Sequence, residues 1–354
     1  MSRNDMEKEN QNSHESEISG NGFRLSVVIP VYNGAQYIEN LFSEIEKQNF
    51  NNMEVIFVDD GSTDDSVKTI REKIHETGKE WSEKKSVVRL ISEENKGQGG
   101  ARNTGIDAAN GKWLMFIDQD DRMKEDYFER MYQEAENDDC DILISGYARE
   151  QTDGRKEENV PLKDTSWSKY MNITPWGKIF RTSFLKDKRI CFYPTPLGED
   201  IYFSLLAYSE TDRIRISPYV GYIWVDNKKS VSNTTHKKID PSASMLTLFE
   251  KMDQSIPEMD YADPETEYFL LKTAIFHILY VSGSTPYQEV IRYKDDLFHY
   301  LDIHCKGFRN NPLIRLNQPE GERQRVRFVV WTFMKLEKIG LLNRFLKVLG
   351  QIRK

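Results

Sequence analysis

Residues 91–121 read ISEENKGQGGARNTGIDAANGKWLMFIDQDD. The apolar run Trp113-Leu114-Met115-Phe116-Ile117 predicts a strand over Lys112–Ile117, buried on both faces in the centre of a parallel sheet. Directly after it come Asp118, Gln119, Asp120 and Asp121. Acids crowded at a strand's end repel one another unless positive charge sits among them. Hard oxygen ligands at this spacing suit Mg²⁺ or Mn²⁺, which keep waters and bind substrate phosphates. The competing reading is a solvated turn, where Asp is common. The segments on either side favour the first.

Before the strand, Gly100–Asn110 has the composition of a helix that starts at glycines and stops at Asn110-Gly111. Its entry, Lys96-Gly97-Gln98-Gly99-Gly100, is neither a GxGxxG fingerprint nor a Walker A loop. Backbone N–H groups at such a helix start can still approach an anionic or nucleotide ligand, and Lys96 and Arg102 add positive charge.

Further upstream, Leu25–Asn33 (LSVVIPVYN) is a β-branched strand that ends in turn residues, and Gln36–Lys47 has the spacing of an amphipathic helix. Glu54–Val58 is a second strand running into Asp59-Asp60-Gly61-Ser62-Thr63-Asp64, with Ser62 or Thr63 available to cap a helix from Asp64. Val87–Ile91 is a third. Strand, helix, strand, helix with short connections predicts a parallel doubly wound α/β sheet. Tyr32-Asn33, Asp59-Asp60 and Asp118–Asp121 then share the carboxyl edge of that sheet, where open α/β folds bind ligands.

Composition narrows the classes. Net charge is −8, which excludes general attraction to nucleic acid. Cys140, Cys191 and Cys305 form no metal pattern and read as reduced thiols of a cytoplasmic protein. No apolar stretch reaches the length of a bilayer span, and residues 1–22 read as a disordered tail in which His14 has no role.

The segments SVVIPVYNGAQYIENL, VIFVDDGSTDDS, NKGQGGARNTGIDAANGKWLMFIDQDD and LGEDIYF, in this order between Leu25 and Phe203, resemble the successive motifs of family 2 glycosyltransferases. This is the inverting class with a GT-A fold, and the resemblance is to enzymes of bacterial cell-surface and exopolysaccharide synthesis. It implies that Pro30 and Tyr32 border a nucleotide base and that Asp60 holds base or ribose, with Lys96 and Gly97 beside the nucleotide sugar. Asp118 and Asp120 fall on the DxD positions that meet the ribose and a Mn²⁺ or Mg²⁺ bridging the diphosphate. Such a metal neutralises charge developing on the leaving group. Asp121 is left as a helix cap or a supporting partner.

Gly198-Glu199-Asp200 opens an apolar helix over Ile201–Ala207, so its carboxylates stand at a helix N-terminus whose dipole favours ionisation. The resemblance assigns the general base to Asp200, with Glu199 orienting the acceptor or capping the helix. One base suffices for inversion, unlike the two carboxylates of retaining hydrolases. Trp176, in Trp176-Gly177-Lys178, is either a core residue or a platform for a sugar face. Lys124–Asp138 reads as a helix, Asp141–Gly146 as a strand, 150–165 as a loop or short hairpin, and Tyr219–Val225 as a strand. In the loop after it, Lys229, Ser230 and His236 are loose candidates for diphosphate contacts.

Beyond Pro241, Met245–Met252, Glu265–Ser282 and Tyr287–Ile303 have helical periodicity; His277, His299 and His304 lack metal-pair spacing. From Glu322 to Lys354 basic residues alternate with apolar ones, which predicts a basic amphipathic helix lying on anionic lipid, on the catalytic domain or on a second subunit. The expected organisation is a tail at 1–22, a GT-A catalytic domain at 23–240 with a Rossmann-like, mostly parallel sheet flanked by helices, a helical region at 241–320 and a basic tail at 321–354.

The expected function is inverting transfer from a UDP-sugar to a hydroxyl of a glycan or lipid-linked acceptor. Two alternatives remain. A nucleotidyltransferase making the nucleotide sugar would need a basic Gly-rich signature after the first strand, where Pro-Val-Tyr-Asn stands. A non-catalytic carbohydrate-binding scaffold would not need Asp118, Asp120 and Asp200 intact.

Overall fold

Four strands form the half of the sheet that the sequence describes best. They are β1 (Leu25–Val31), β2 (Met53–Asp59), β3 (Val87–Ser92) and β4 (Trp113–Phe116), parallel and in the spatial order β3-β2-β1-β4. Every residue of β1, β2 and β4 is buried, whereas β3, at the edge, is only partly so. That burial is why these strands read as unbroken apolar runs. The computed structural model describes residues 22–151, 158–226 and 238–352, so Lys229, Ser230 and His236 lie outside the described residues.

The helices α1 (Ala35–Glu46), α2 (Ser66–Glu83) and α3 (Gln98–Ala108) connect these strands. Gly105 lets α3 lie against the sheet, since a Cβ there would stand 2.1 Å from Val28 Cγ1 on β1. At the amino edge the buried Glu54 carboxylate accepts from Ser26 Oγ at 2.6 Å and Gly111 N at 3.2 Å, and it pairs with Arg89. A buried acid tolerates its position only with several such partners. It ties three strands and the entry to β4 together opposite the ligand edge.

The other half of the sheet is mixed. After β5 (Arg122–Met123) and α4 (Tyr127–Asn137) come β6 (Ile142–Gln151), β7 (Glu158–Val160), β8 (Lys178–Arg181), α5 (Thr182–Asp187), α6 (Glu199–Ser209) and β9 (Ile214–Asp226). The full path is β3-β2-β1-β4-β8-β6-β9-β5, with β7 paired to β6 as a hairpin. β8 runs antiparallel to β4 and β6, and β5 antiparallel to β9, while the long β6–β9 ladder is parallel. Six of the nine strands therefore point one way. This is the GT-A arrangement: a mostly parallel sheet with helices on its faces.

Among the described residues five α-helices follow: α7 (Met245–Ser255), α8 (Pro264–Val281), α9 (Tyr287–His304), α10 (Gln324–Lys338) and α11 (Leu342–Ile352). A single hydrophobic cluster runs from Val28 and Phe116 through Phe203 and Leu248 to Phe333 and Leu346. The stretch expected as one basic helix is two, broken where Gly340 takes φ +71°. Among the described residues no helix is long and apolar enough to cross a membrane.

Candidate active site

Two loops at the carboxyl edge are sewn together by side chains. Asn33, at φ +46°, is in the left-handed region that Asn tolerates. Its N–H donates to Ser62 Oγ at 2.9 Å, and its Oδ1 accepts from Thr63 N at 2.8 Å. Ser62 and Thr63 thus serve Asn33 rather than capping α2. Asp65 stands at that helix's N-cap, without a side-chain cap bond. Gln119 matches the backbone of Tyr32, accepting from its N and donating to its O, each at 3.2 Å. The residue between the two DxD acids therefore fixes the end of β1 against the end of β4.

Pro30 is buried in β1, paired with Val58, and Tyr32 beyond it is 49% exposed with its ring free to meet a ligand. Asp60 is buried and accepts from Lys96 N at 2.6 Å; burial raises its carboxyl above the ordinary range, against the pull of the Lys96 and Gly97 amides. Lys96 turns its ammonium to Glu93 at 3.0 Å, so its link to the site is the backbone amide. Gly97, at φ +81° and ψ 163°, redirects the chain into α3.

The centre of the site is Arg102. Nη2 donates to Asp118 Oδ1 at 2.7 Å, while Nη1 reaches Asp200 Oδ1 at 3.1 Å and Glu199 Oε1 at 3.4 Å. The guanidinium is 1% exposed and lies 5.2 Å from the ring centroid of Phe192. Phe192 in turn stacks on Phe203 at 4.0 Å, and its backbone is bonded both ways to Asn103. Burial disfavours the Arg102 charge, but Asp118, Asp200 and Glu199 outweigh it and hold its pKa above the usual value. Gln98 Nε2 adds a bond to Asp118 Oδ1 at 3.2 Å. Gln98 and Arg102 are one turn apart on α3, which puts them on one face.

Glu199 and Asp200 are the first two residues of α6, half-buried, as the sequence implied. The dipole at the start of α6 does not decide their charge. Burial dominates, raising Asp200 above the normal carboxylate range against the opposing pull of Arg102, and pushing Glu199 up to about 7. Glu199 uses both oxygens, Oε2 accepting from Gly99 N at 3.1 Å and Oε1 from Arg102. Every bond described for Asp200 falls on Oδ1.

Asp121 is not a helix cap. Its Oδ2 accepts from Tyr222 OH at 2.5 Å and its Oδ1 from Val225 N at 2.8 Å, anchoring the acidic loop to β9. Burial, then the charges of Asp118 and Asp120, push its carboxyl well up. Trp176 is also a packing residue: it is 6% exposed, one face stacks on Tyr222 at 4.7 Å and it meets Tyr147 edge-on. It braces the tyrosine that holds Asp121 and offers no open platform. Lys178, fully buried on β8, bonds the Thr174 carbonyl, and burial lowers its pKa to about 7 against the pull of Asp200.

Among the described residues no group of three His, Cys, Asp or Glu side chains is arranged to hold a metal by itself. The donor chemistry nonetheless fits a divalent ion shared with a ligand. Asp118 and Asp120 are half-buried hard donors, and the side-chain bonds described for Asp118 both use Oδ1.

Arg102 as a hub, Gln98 and Gln119 as struts, and Tyr222 as an anchor do not stand out in the sequence. The Gln98–Arg102 spacing could have signalled a shared face. Nothing local to Tyr222 points to Asp121.

Comparison with known proteins gives a consistent outcome. The model of the family described as "Glycosyl transferase family 2" matches residues 26–193. Glycosyltransferase GlyA of Streptococcus pneumoniae is 26% identical over 253 residues, covering 65% of this chain and 35% of that protein. The poly(ribitol-phosphate) beta-glucosyltransferase of Bacillus spizizenii is 24% identical over 365 residues, covering 92% of this chain and 56% of that one. The chain spans only part of the length of these curated relatives. In three dimensions it is similar to residues 1–349 of Staphylococcus aureus TarS in complex with UDP-GlcNAc, with a TM-score of 0.67 at 21% identity over 90% of this chain and 92% of the other. That likeness establishes the shared fold.

Proposed function

Residues 26–193 belong to glycosyl transferase family 2, and on that premise we propose that the chain transfers a sugar, with inversion, from a UDP-sugar to a hydroxyl of a cell-surface glycan. The observation that carries this reading is the single guanidinium of Arg102 bonded to both Asp118 and Asp200. It supports a donor-side acid and a base sharing one cleft at the carboxyl edge.

In this reading Tyr32 and Pro30 border the base, and Asp60 and the amides of Lys96 and Gly97 form the wall beside it. Asp118 and Asp120 would hold a divalent ion, which supplies charge neutralisation for the diphosphate when bound. Asp200 accepts the proton of the acceptor hydroxyl through Oδ2. The hydroxyl oxygen bonds to the anomeric carbon as the carbon–diphosphate bond breaks, and the nucleoside diphosphate leaves with the electron pair. Asp200 suits the base role better than Glu199, whose two oxygens are engaged by Gly99 and Arg102. Glu199 and Arg102 instead fix the base and the donor acid relative to each other.

The test is nucleoside diphosphate release across a panel of nucleotide sugars with Mn²⁺, Mg²⁺ or EDTA, on wild type and Asp200→Asn. UDP-GlcNAc, the ligand of the TarS complex, is the first donor to try. Metal-dependent release from one donor, lost in the variant while donor binding persists, supports the reading. Binding of no nucleotide sugar under any condition would leave a non-catalytic scaffold as the better account.

A further inference from the structure

We propose that α10 and α11 form an in-plane docking surface for an anionic lipid bilayer. The proposal goes beyond the transfer reaction and does not depend on it. α11 carries two apolar stripes at helical spacing. One, Leu342 and Leu346, is buried. The other, Leu341, Phe345, Val348 and Ile352, recurs at i, i+4, i+7 and i+11 and faces out, with Val348 53% and Ile352 75% exposed. With 3.6 residues per turn, Arg344 and Lys347 fall beside the outer stripe on the side away from the buried one.

α10 repeats the pattern. Val330, Phe333 and Met334 face the core, Phe328 (56% exposed) and, just past the helix, the exposed Ile339 lie on the opposite side, and the half-buried Trp331 lies on the flank. Lys335 lies over the Trp331 ring at 5.6 Å.

Charge selects the occupant. The chain carries −8 overall, yet between residues 323 and 352 Arg323, Arg325, Arg327, Lys335, Lys338, Arg344 and Lys347 face a single acid, Glu337. Glu337 is engaged by Lys294 and Arg309 from elsewhere, and among the described residues none of the seven bases forms an ion pair. Arg323 bonds Tyr147 OH and Arg327 is half-buried, which leaves the exposed Arg325, Lys335, Lys338, Arg344 and Lys347 beside the apolar stripes; on an acidic protein they fit a surface that is negative outside and apolar just beneath. That is an anionic headgroup layer over acyl chains. In a two-fold dimer through this face the same bases would meet one another and repel.

The test is sedimentation of the full chain with vesicles of phosphatidylcholine alone or mixed with phosphatidylglycerol, alongside solution mass. Wild type should bind the mixed vesicles, lose binding as salt rises, and ignore neutral ones. Phe345→Asp with Val348→Asp should abolish binding, and Arg344→Gln with Lys347→Gln should weaken it about tenfold. Both should leave the thermal midpoint and donor turnover unchanged. Because the second pair changes only exposed bases, it remains a test if the first fails to fold. No binding by wild type, binding indifferent to lipid charge, or a wild-type oligomer that the aspartates dissolve would each overturn the proposal; the last would give the stripe to a second copy.

Discussion

Asp118 and Asp200 share one buried cation: Arg102 bonds the first at 2.7 Å through Nη2 and the second at 3.1 Å through Nη1. The acid at the end of β4 and the acid at the start of α6 are therefore held at a fixed separation by a side chain from α3. α3 and β4 are neighbours in the chain, but α6 lies nearly a hundred residues further on and joins them only in the folded protein.

Asp200→Asn removes the proposed proton acceptor but keeps the shape and an oxygen for Arg102. The expected result is a fall in kcat of about 10²–10⁴-fold, the usual size of a general-base contribution, with donor affinity retained. Glu199→Gln should cost less, since Glu199 positions the base. Steady-state kinetics with isothermal titration of the donor separates the two effects.

On the proposed mechanism Arg102 also sets the working pH. Burial raises Asp200, and Arg102 is the strongest group pulling it back down. Activity needs the ionised base, so kcat/KM is lost as pH falls through the Asp200 pKa. Arg102→Met should move that acid limb to higher pH by about 1–3 units, whereas Arg102→Lys, which keeps a charge, should restore part of it. A limb that does not move in the methionine variant would show that Arg102 only packs.

Glu199 gives a stability signature. Its carboxyl is pushed from 4.5 up to about 7, chiefly by burial. Between those values the folded state holds a proton that the unfolded state has released, so the stabilising contribution, full below 4.5, is lost as pH rises through about 7. The stability of Glu199→Gln relative to wild type should therefore rise across that window by on the order of 1–3 kcal/mol and stay level above it. Urea unfolding of both proteins at a series of pH values measures the difference.

The divalent ion gives a further expectation. Mn²⁺ with UDP should raise the thermal midpoint of wild type, and EDTA should reverse the gain. Asp118→Asn or Asp120→Asn should lose most of the metal-dependent part while UDP alone still binds weakly. An equal midpoint shift in wild type and both variants would place the ion elsewhere.

The buried strands and acidic edge were legible because burial on both faces leaves a long apolar run, and because parallel strands bring their ends together. The pairing of Asp121 with Tyr222 was not, since it depends on a ladder between β6 and β9 that no local pattern specifies. The burial of Glu199 and Asp200 was hidden for a related reason. The helix start is visible in Gly198-Glu199-Asp200, but its meeting with Arg102 of α3 is a tertiary event. The break at Gly340 was hidden because apolar and basic residues continue in register on both sides of it.

Two glycines of α3 separate site geometry from fold stability. At Gly105 a Cβ would meet Val28 Cγ1 at 2.1 Å, on a fully buried central strand that has no room to yield. Overpacking of that kind costs about 1–3 kcal/mol, more than the roughly 1 kcal/mol that alanine gains over glycine in a helix, so Gly105→Ala should lower the thermal midpoint. At Gly99 the Cβ would meet Glu199 Oε2 at 2.7 Å and Phe192 Cβ at 3.0 Å. The carboxylate can swing away, so Gly99→Ala should leave stability nearly unchanged. It should nonetheless shift Glu199 off the Gly99 amide and away from Arg102, and lower kcat more than donor affinity. Thermal melts and kinetics on both variants decide the matter: a Gly99→Ala protein that melts early but turns over normally would mean that the contact between α3 and α6 serves the fold rather than the site.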